Sequence, residues 1–365
     1  MHAVTTLRSK ERGGHILTAV VPGRVNLIGE HIDYHNLPVL PMAIQRRICI
    51  EYSTRDDGVV RGYSRDYGTA EVPLTGELDP GPAGDWSNYI KAAVAALRER
   101  WKLTQGIEAK VTSNLPAAAG LSSSSALLTG FTIALLRANG IEPTVAELME
   151  VLPDGEQFVG TRGGGMDHAA VLASQAGCSL LVEFAPLRLT NVPIPDTWKF
   201  IVAHSLRTAE KSGAAREQFN AKRRAGQSAF EKLRAGLTLT DEEERAHRHV
   251  ESEARRVREA VEALRRADKE TFGHLLCESH GSLRDDLRVS CPELDELVEV
   301  AMNSGALGAR LTGAGFGGCA IVFCEVGERQ RIAQALVDGF YAKRSGFDCD
   351  KHLIFAEPSA GALHV

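Results

Sequence analysis

No G-x-x-x-x-G-K-[ST] string occurs anywhere in the 365 residues, which excludes a P-loop, with its phosphate-reaching lysine, as the way this chain would hold a nucleotide. Cysteine pairs are missing as well. The seven cysteines, Cys49, Cys178, Cys277, Cys291, Cys319, Cys324 and Cys349, form no C-x-x-C or other metal-like spacing, and an odd number among apolar neighbours predicts reduced, mostly buried thiols in a cytoplasmic protein. No apolar run approaches the roughly 20 residues of a membrane span, and the stretch Leu7 to Arg12 is charged where a secretory leader needs an apolar core. Neither a membrane nor an exported location is therefore expected. An excess of positive charge is also absent: the formal net charge is −5, which argues against a nucleic-acid partner. The arginine-rich stretch from Arg255 to Arg266 carries Glu259 and Glu262 at helical spacing, the pattern of a solvated, self-paired helix face.

What is present is an ordinary globular composition, with 44% hydrophobic and 24% charged residues, in a chain long enough for two domains. Strand-like patterning covers Ile16 to Val25, Arg47 to Ser53, Gly106 to Ser113, Cys178 to Phe184 and Phe200 to His204. A helical pattern runs from Trp86 through Leu103 with Ser87 as its candidate cap, and another opens near Ser122 and stops at Ala138-Asn-Gly. Residues 208 to 285 are highly charged and helical, with Gly226 and Gly236 as breaks. Alternation returns in the tail, with a strand into Cys324, a helix over Glu328 to Ala342 and a last strand at His352 to Phe355. The pattern predicts a two-domain α+β protein, residues 1–185 and 186–365.

Four clusters carry the chemistry. Between Asn114 and Gly130 the small-residue loop L-P-A-A-A-G-L-S-S-S-S-A opens into a helix. Gly120 permits a tight turn, and Ser122, Ser123 and Ser124 let an anion approach peptide N–H groups that have no intrahelical partner. The same loop is also what an ordinary serine-capped helix looks like. Gly23 to Tyr34 (G-R-V-N-L-I-G-E-H-I-D-Y) crowds Arg24, Glu30, His31 and Asp33 into one turn, which is costly unless something polar binds there. His31, Asp33 and His35 alternatively furnish a metal set, and a structural salt-bridge network is the third reading. Gly155 to His168 places three consecutive glycines beside Asp167, and Leu311 to Cys319 spells G-x-G-x-x-G. That last string runs into a strand rather than a helix, so a dinucleotide site is disfavoured and a tight glycine turn packed under another loop is the simpler reading.

In this order, together with S-L-R-D-D-L-R-V-S-C-P-E-L-D at Ser282 to Asp295, the four clusters resemble the galactokinase branch of the GHMP sugar and metabolite kinases, nearly end to end. The resemblance implies an N-terminal domain of ribosomal-S5-like character, a C-terminal ferredoxin-like domain and an active site in the cleft between them. It implies transfer of the γ-phosphoryl group of ATP to the anomeric hydroxyl of galactose, with Mg2+. In that scheme Asp167 is the catalytic aspartate and Arg24 the arginine beside it. Glu30, His31, Asp33 and the Gly164 backbone are sugar ligands, and Ser124 and Glu156 are metal ligands. Trp86 and Tyr89 flank the adenine, while Gly120, Leu121, Ser122, Ser123 and Ser124 form the phosphate loop. Asp167 next to Arg24 is expected to stay ionised, which gives it a positioning role as much as a basic one.

Four positions depart from the family pattern. Ile32 stands where galactokinases usually carry threonine, and isoleucine occurs there in N-acetylgalactosamine kinases. His168 replaces glutamine after the catalytic aspartate, Phe219 stands at the position of a sugar-binding tyrosine, and Ser125 replaces alanine, leaving the metal serine's register open by one. The same chemistry on N-acetylgalactosamine, a uronic acid or a pentose is the nearest alternative. A catalytically idle sugar sensor is the distant one. The expected partners are a small-molecule sugar and ATP; the sequence does not set the oligomeric state, and a monomer is compatible with it.

Overall fold

The computed structural model describes residues 15–364 apart from 83, 118, 161–162 and 209–213, together with the side chains of 214–216. The leader-free reading of Leu7 to Arg12 lies outside the described residues. The chain opens with β1 (Leu17–Ile28), β2 (Leu40–Arg55), β3 (Val59–Ser64) and β4 (Gly68–Pro73), then α1 (Ser87–Arg98) and β5 (Gly106–Ser113). The five strands form one sheet in the order β1-β2-β5-β3-β4, antiparallel except for the β3–β5 pair. One face of this sheet is covered by α2 (Ser123–Ala138), whose Phe131, Ile133, Leu135 and Leu136 are buried with Val21, Ile50 and Val111 in the larger core. Then come α3 (Val145–Phe158), α4 (Met166–Ala173) and a hairpin of β6 (Cys178–Phe184) and β7 (Leu187–Pro193).

The remainder comprises β8 (Trp198–His204), the charged helices α5 (Ala214–Arg234), α6 (Asp241–Arg265) and α7 (Lys269–Asp285), then α8 (Pro292–Asn303), β9 (Gly308–Thr312), β10 (Cys319–Glu325), α9 (Arg329–Gly339) and β11 (Leu353–Ala356). Its sheet, in the order β11-β8-β10-β9, is antiparallel throughout. The G-x-G-x-x-G string is the β9–β10 turn, not the start of a helix. The boundary proposed at residue 185 falls in the turn of the β6–β7 hairpin, and the tail crosses it. The Ser359 N–H donates to the Ala43 carbonyl at 2.9 Å and the Ala362 N–H to the Val171 carbonyl at 2.7 Å, tying the end of the chain to β2 and α4.

Several local expectations are corrected. The first helix is shorter than its pattern, and Ser87 does not cap it: the Asp85 carboxylate accepts from the Ser87 N–H at 2.9 Å instead. Gly226 is no break but an interior residue of α5, where the His35 ring lies so close that a Cβ would sit 2.5 Å from its Nε2. The arginine-rich face of α6 is self-paired at Arg255–Glu259 and Arg265–Glu262, yet Arg256 turns inward and pairs with the fully buried Glu253 at 2.8 Å.

That inward pair belongs to a buried charge network joining the two halves. Arg310, in the middle of β9 and without any solvent exposure, donates to the Leu27 carbonyl at 2.8 Å and to the Glu30 carboxylate. Glu253 lies 3.7 Å from it and accepts from the Gly29 N–H at 2.9 Å and the Ser279 hydroxyl at 2.7 Å. Burial would raise the Glu253 carboxyl, but Arg310, His249 and Arg256 bring it down to about 2. Its contribution to stability is therefore present above its ordinary value of 4.5 and lost as the pH falls toward 2. A buried pair adds little over an apolar replacement, but removing one partner strands the other charge out of water. Arg310→Met should accordingly lower the unfolding free energy by about 3–5 kcal/mol in urea titrations at pH 7. A loss under about 1 kcal/mol, the scale of an exposed pair, would contradict this account of the junction.

Candidate active site

Strand β1 delivers Arg24. Its pairing with β2 slips between Pro22 and Arg24 and again between Asn26 and Ile28, and such bulges re-aim the side chains beside them. Arg24 is buried; its Nε and Nη2 both donate to Asp167 Oδ1, at 2.7 and 2.6 Å, while Nη1 donates to the Gly120 carbonyl at 2.7 Å. Asp167 lies in the first turn of α4, so the positive end of that helix faces its carboxylate. Ser122 is the N-cap residue of α2 in the left-handed region, with φ of 60°, and its side chain makes no capping bond. Its hydroxyl donates instead to Asp167 Oδ2. Two helix N-termini and one guanidinium thus converge on a single carboxylate.

The sugar motif follows on the same strand. Asp33 opens a single 3₁₀ turn, Asp33–His35, and its Oδ2 accepts the Gly164 N–H at 3.0 Å. Only glycine permits this approach, since a Cβ on Gly164 would lie 2.3 Å from the Asp33 carbonyl carbon. Burial, followed by the neighbouring charge of Asp167, pushes the Asp33 carboxyl up to about 6. His31 is buried with both ring nitrogens engaged: Nε2–H donates to the Ala314 carbonyl at 3.0 Å, and Nδ1 accepts from the Tyr34 hydroxyl at 2.8 Å. Burial, then His249, holds its imidazolium form down to about 3, so the ring is neutral. The metal reading of His31, Asp33 and His35 is thereby set aside, and among the described residues no group of three His, Cys, Asp or Glu is arranged to hold a metal ion.

Glu30 sits at the junction rather than beside Asp167. Its carboxylate accepts from Asn26 Nδ2 at 2.7 Å, from the Gly313 N–H at 2.7 Å and from Arg310. Phe219, on α5, packs its ring 5.2 Å from His31 and 5.8 Å from Tyr34, measured between centroids, and so walls the motif from the far half.

On the loop side, Gly120 and Gly313, both at positive φ, bring two backbones together, and a Cβ on Gly313 would lie 3.1 Å from the Gly120 carbonyl. The glycine turn is packed under the serine loop. Leu121 is buried and its carbonyl accepts from the Arg24 N–H at 3.1 Å, whereas Ser123 and Ser124 stand half-buried in the first turn of α2. Ser124 lies near the Tyr89 phenol. The serine on Glu156 is Ser125, whose hydroxyl donates to Oε1 at 2.6 Å and lies 3.4 Å from Asp167 Oδ2. Trp86 is buried, packing near Phe131 and under Gly62. Sequence reasoning missed Ser125 as a bridge, and it missed Arg310 and Glu253, although an arginine inside the apolar run A-R-L-T was a visible signal.

A serine-lined helix N-terminus beside an arginine-held aspartate is the arrangement that the resemblance to GHMP kinases implies. Family models agree: GHMP kinases N terminal domain matches residues 88–175, GHMP kinases C terminal matches 260–342, and the galactokinase galactose-binding signature matches 9–54. Galactokinase of Streptomyces coelicolor is 36% identical over 363 residues, covering 94% of this chain and 93% of its own, and that of Homo sapiens is 37% identical over 331 residues, covering 85% and 84%. The crystal structure of Lactococcus lactis galactokinase complexed with galactose superposes with a TM-score of 0.84 at 26% identity, covering 95% of this chain and 94% of that one. Mevalonate kinase of Methanococcus jannaschii, at 19% identity and a TM-score of 0.67, shares the fold over 96% of this chain and 99% of its own. The chain belongs to the galactokinase family. It is an ATP-dependent phosphotransferase of two-domain α+β architecture. No helix among the described residues is long and apolar enough to cross a membrane.

The raised Asp33 carboxyl has a measurable consequence. Its ionised form, the one that accepts hydroxyl hydrogen bonds, is present above about pH 6 and lost as the pH falls through that value. The sugar KM should therefore climb below that point, toward about tenfold per pH unit for a single linked proton, and Asp33→Asn should abolish that leg of the profile. Because the carboxyl is raised rather than lowered, the group costs stability above its folded value, so Asp33→Asn should also melt no lower than the parent at pH 8. A pH-independent sugar KM in the parent would remove Asp33 from sugar recognition.

Proposed function

We propose that the chain transfers the γ-phosphoryl group of ATP to the anomeric hydroxyl of galactose, giving α-galactose 1-phosphate and ADP, with Mg2+ as the metal. The observation that carries this reading is the convergence of Arg24, Ser122 and Ser125 on Asp167, with Asp33 held against Gly164 beside it. The sugar oxygen bonds to the γ-phosphorus as the bond to the β–γ bridging oxygen breaks, and the hydroxyl proton passes to Asp167. Arg24 and the hydroxyl of Ser122 hold that carboxylate still, which is the positioning that phosphoryl transfer chiefly needs. His31, with Phe219 against it, and Asp33 form the sugar wall. The N–H groups at the start of α2 face the phosphates, and Tyr89 with Trp86 borders the adenine.

The donor set suits Mg2+. Serine hydroxyls and the Glu156 carboxylate are hard oxygens, few enough to leave room for phosphate and water. Bound there, the ion would neutralise phosphate charge; Glu156 would hold it with Ser124 or Ser125.

Galactose is favoured over N-acetylgalactosamine because the galactose-binding signature spans residues 9–54 and the relatives are galactokinases, while Ile32, the residue that suggested the larger sugar, is wholly buried in the core. An idle sensor is disfavoured by the intact contact between Arg24 and Asp167. The test is MgATP-dependent ADP release with galactose, N-acetylgalactosamine, galacturonate, arabinose and glucose. Galactose should give the highest kcat/KM, and a higher value for any other sugar would overturn the substrate. Asp167→Asn should lower kcat by roughly 10²–10⁴-fold or more while ATP affinity stays within severalfold. Near-normal turnover in that variant would remove Asp167 from its role. Phe219→Tyr should lower the galactose KM by restoring a hydroxyl beside His31, and a higher KM would show a pocket shaped for the bare ring.

A further inference from the structure

The sugar motif turns through a backbone conformation that its residues do not favour. His31 has a φ of 63°, in the left-handed region where a residue with a Cβ is disfavoured, and Gly29 before it has a φ of 108°. From that conformation the His31 ring reaches the Ala314 carbonyl and the Tyr34 hydroxyl. Such a backbone persists only where its surroundings hold it. Rotation about φ of His31 swings the peptide that joins it to Glu30, and the carbonyl of that peptide accepts from Nε2–H of His249, on α6, at 3.0 Å. His249 has no solvent exposure, and burial lowers its imidazole from the ordinary value, so the ring is neutral and carries one proton. A carbonyl can only accept, which puts that proton on Nε2. Nδ1 must then accept, and the Ser282 hydroxyl, on α7, lies 2.9 Å from it. Ser282 Oγ is also 3.0 Å from Asp286 Oδ2, on a carboxylate whose other oxygen is served by Arg248 Nε at 2.7 Å. The run Ser282 to Asp286, to which the proposed reaction gives no part, thus stands directly behind His249.

We propose that His249 and Ser282 are positioning residues for His31: Ser282 fixes the tautomer of His249, His249 fixes the Glu30–His31 peptide, and that peptide sets where the His31 side chain stands in the sugar wall. The inference rests on the reading of His31 as a sugar residue. Neither His249 nor Ser282 touches substrate in this scheme. Without the bond from His249 the peptide relaxes toward backbone that a residue with a Cβ prefers, and the imidazole of His31 turns from the orientation that its two partners define. With Ser282 removed, the ring proton of His249 is no longer confined to Nε2, and the Glu30 carbonyl loses its donor for part of the time.

The experiment measures steady-state kinetics with galactose at saturating MgATP for the parent, His249→Asn, His249→Gln, Ser282→Ala and His31→Ala. Thermal melts and the affinity for adenosine 5′-(β,γ-imido)triphosphate report whether each variant is folded. The amide nitrogen of glutamine overlies Nε2 of histidine and that of asparagine overlies Nδ1, so His249→Gln can still donate to the Glu30 carbonyl and His249→Asn cannot reach it. His249→Asn should raise the galactose KM roughly three- to tenfold, the net worth of one hydrogen bond, with kcat and nucleotide affinity close to the parent. Ser282→Ala should raise it part of the way, and His249→Gln should bring it back toward the parent. An unchanged KM in both His249→Asn and Ser282→Ala would overturn the proposal. An equal rise in His249→Asn and His249→Gln would overturn it too, since lost packing alone gives that result. If His31→Ala leaves the galactose KM at the parent value, the reading of His31 as a sugar residue falls and the proposal with it; a raised KM in His31→Ala beside unmoved His249 and Ser282 variants would sink the positioning alone.

Discussion

The active site is held together by charges that never meet solvent. Arg310 reaches from β9 to the backbone and carboxylate of the sugar motif, and Glu253 reaches from α6 to the Gly29 N–H of the same motif. The fully buried His249 adds an Nε2–H bond to the Glu30 carbonyl at 3.0 Å. One short segment of β1 and the turn after it is thus gripped by three residues from two elements distant in sequence, β9 and α6. Such a network is costly to assemble and costlier to leave half-made, which makes it a specifier of geometry more than a source of net stability. What it specifies is the position of Asp33 and His31 relative to the glycine turn and, through Gly313 against Gly120, the position of the phosphate loop.

The charge balance inside the cleft runs the other way. Among the described residues, Asp33 and Glu156 lie near the Asp167–Arg24 pair, and the Asp33 carboxyl is raised first by burial and then by the charges of Asp167 and Glu156. Carboxylates on their own would repel a nucleoside triphosphate. The helix N-termini of α2 and α4 offset part of it, and a divalent cation is the natural remainder. On the proposed reading the absence of a P-loop lysine is intelligible: its charge would be supplied by dipoles, by the arginine that holds Asp167, and by a divalent ion.

Legibility follows locality. The loop into α2, the strand β5 and the helical character of the charged region are readable because their signals are periodic and contiguous, though not its division into three helices, and the glycine string is separated from a dinucleotide fold by the strand that follows it. Helix α3 escapes the periodic pattern although Thr144 and Glu147 form a full capping box at its start, with the Glu147 N–H donating to Thr144 Oγ1 at 3.2 Å. The other failures are of a different kind. Glu253 and Arg256 look like any solvated pair on a charged helix, and nothing local distinguishes them from Arg255 and Glu259 on the outer face. Burial of a charge is decided here by partners far away in sequence, such as Gly29 for Glu253, and no window contains both. The same holds for Glu30, whose motif is legible while its partner in β9 is not.

The departures from the family pattern, equal in the sequence, are unequal in space. Ile32 is enclosed by the core. Ser125 and His168 flank Glu156. Phe219 alone stands against the sugar motif, ring to ring with His31 and Tyr34. If the chain discriminates between sugars differently from its relatives, Phe219 and the helix that bears it are the first place to look, because that departure packs against the motif from another element. The Tyr34 hydroxyl already donates to His31 Nδ1, so the motif itself supplies a hydroxyl next to the bare ring of Phe219, and the imidazole keeps its orientation without help from α5.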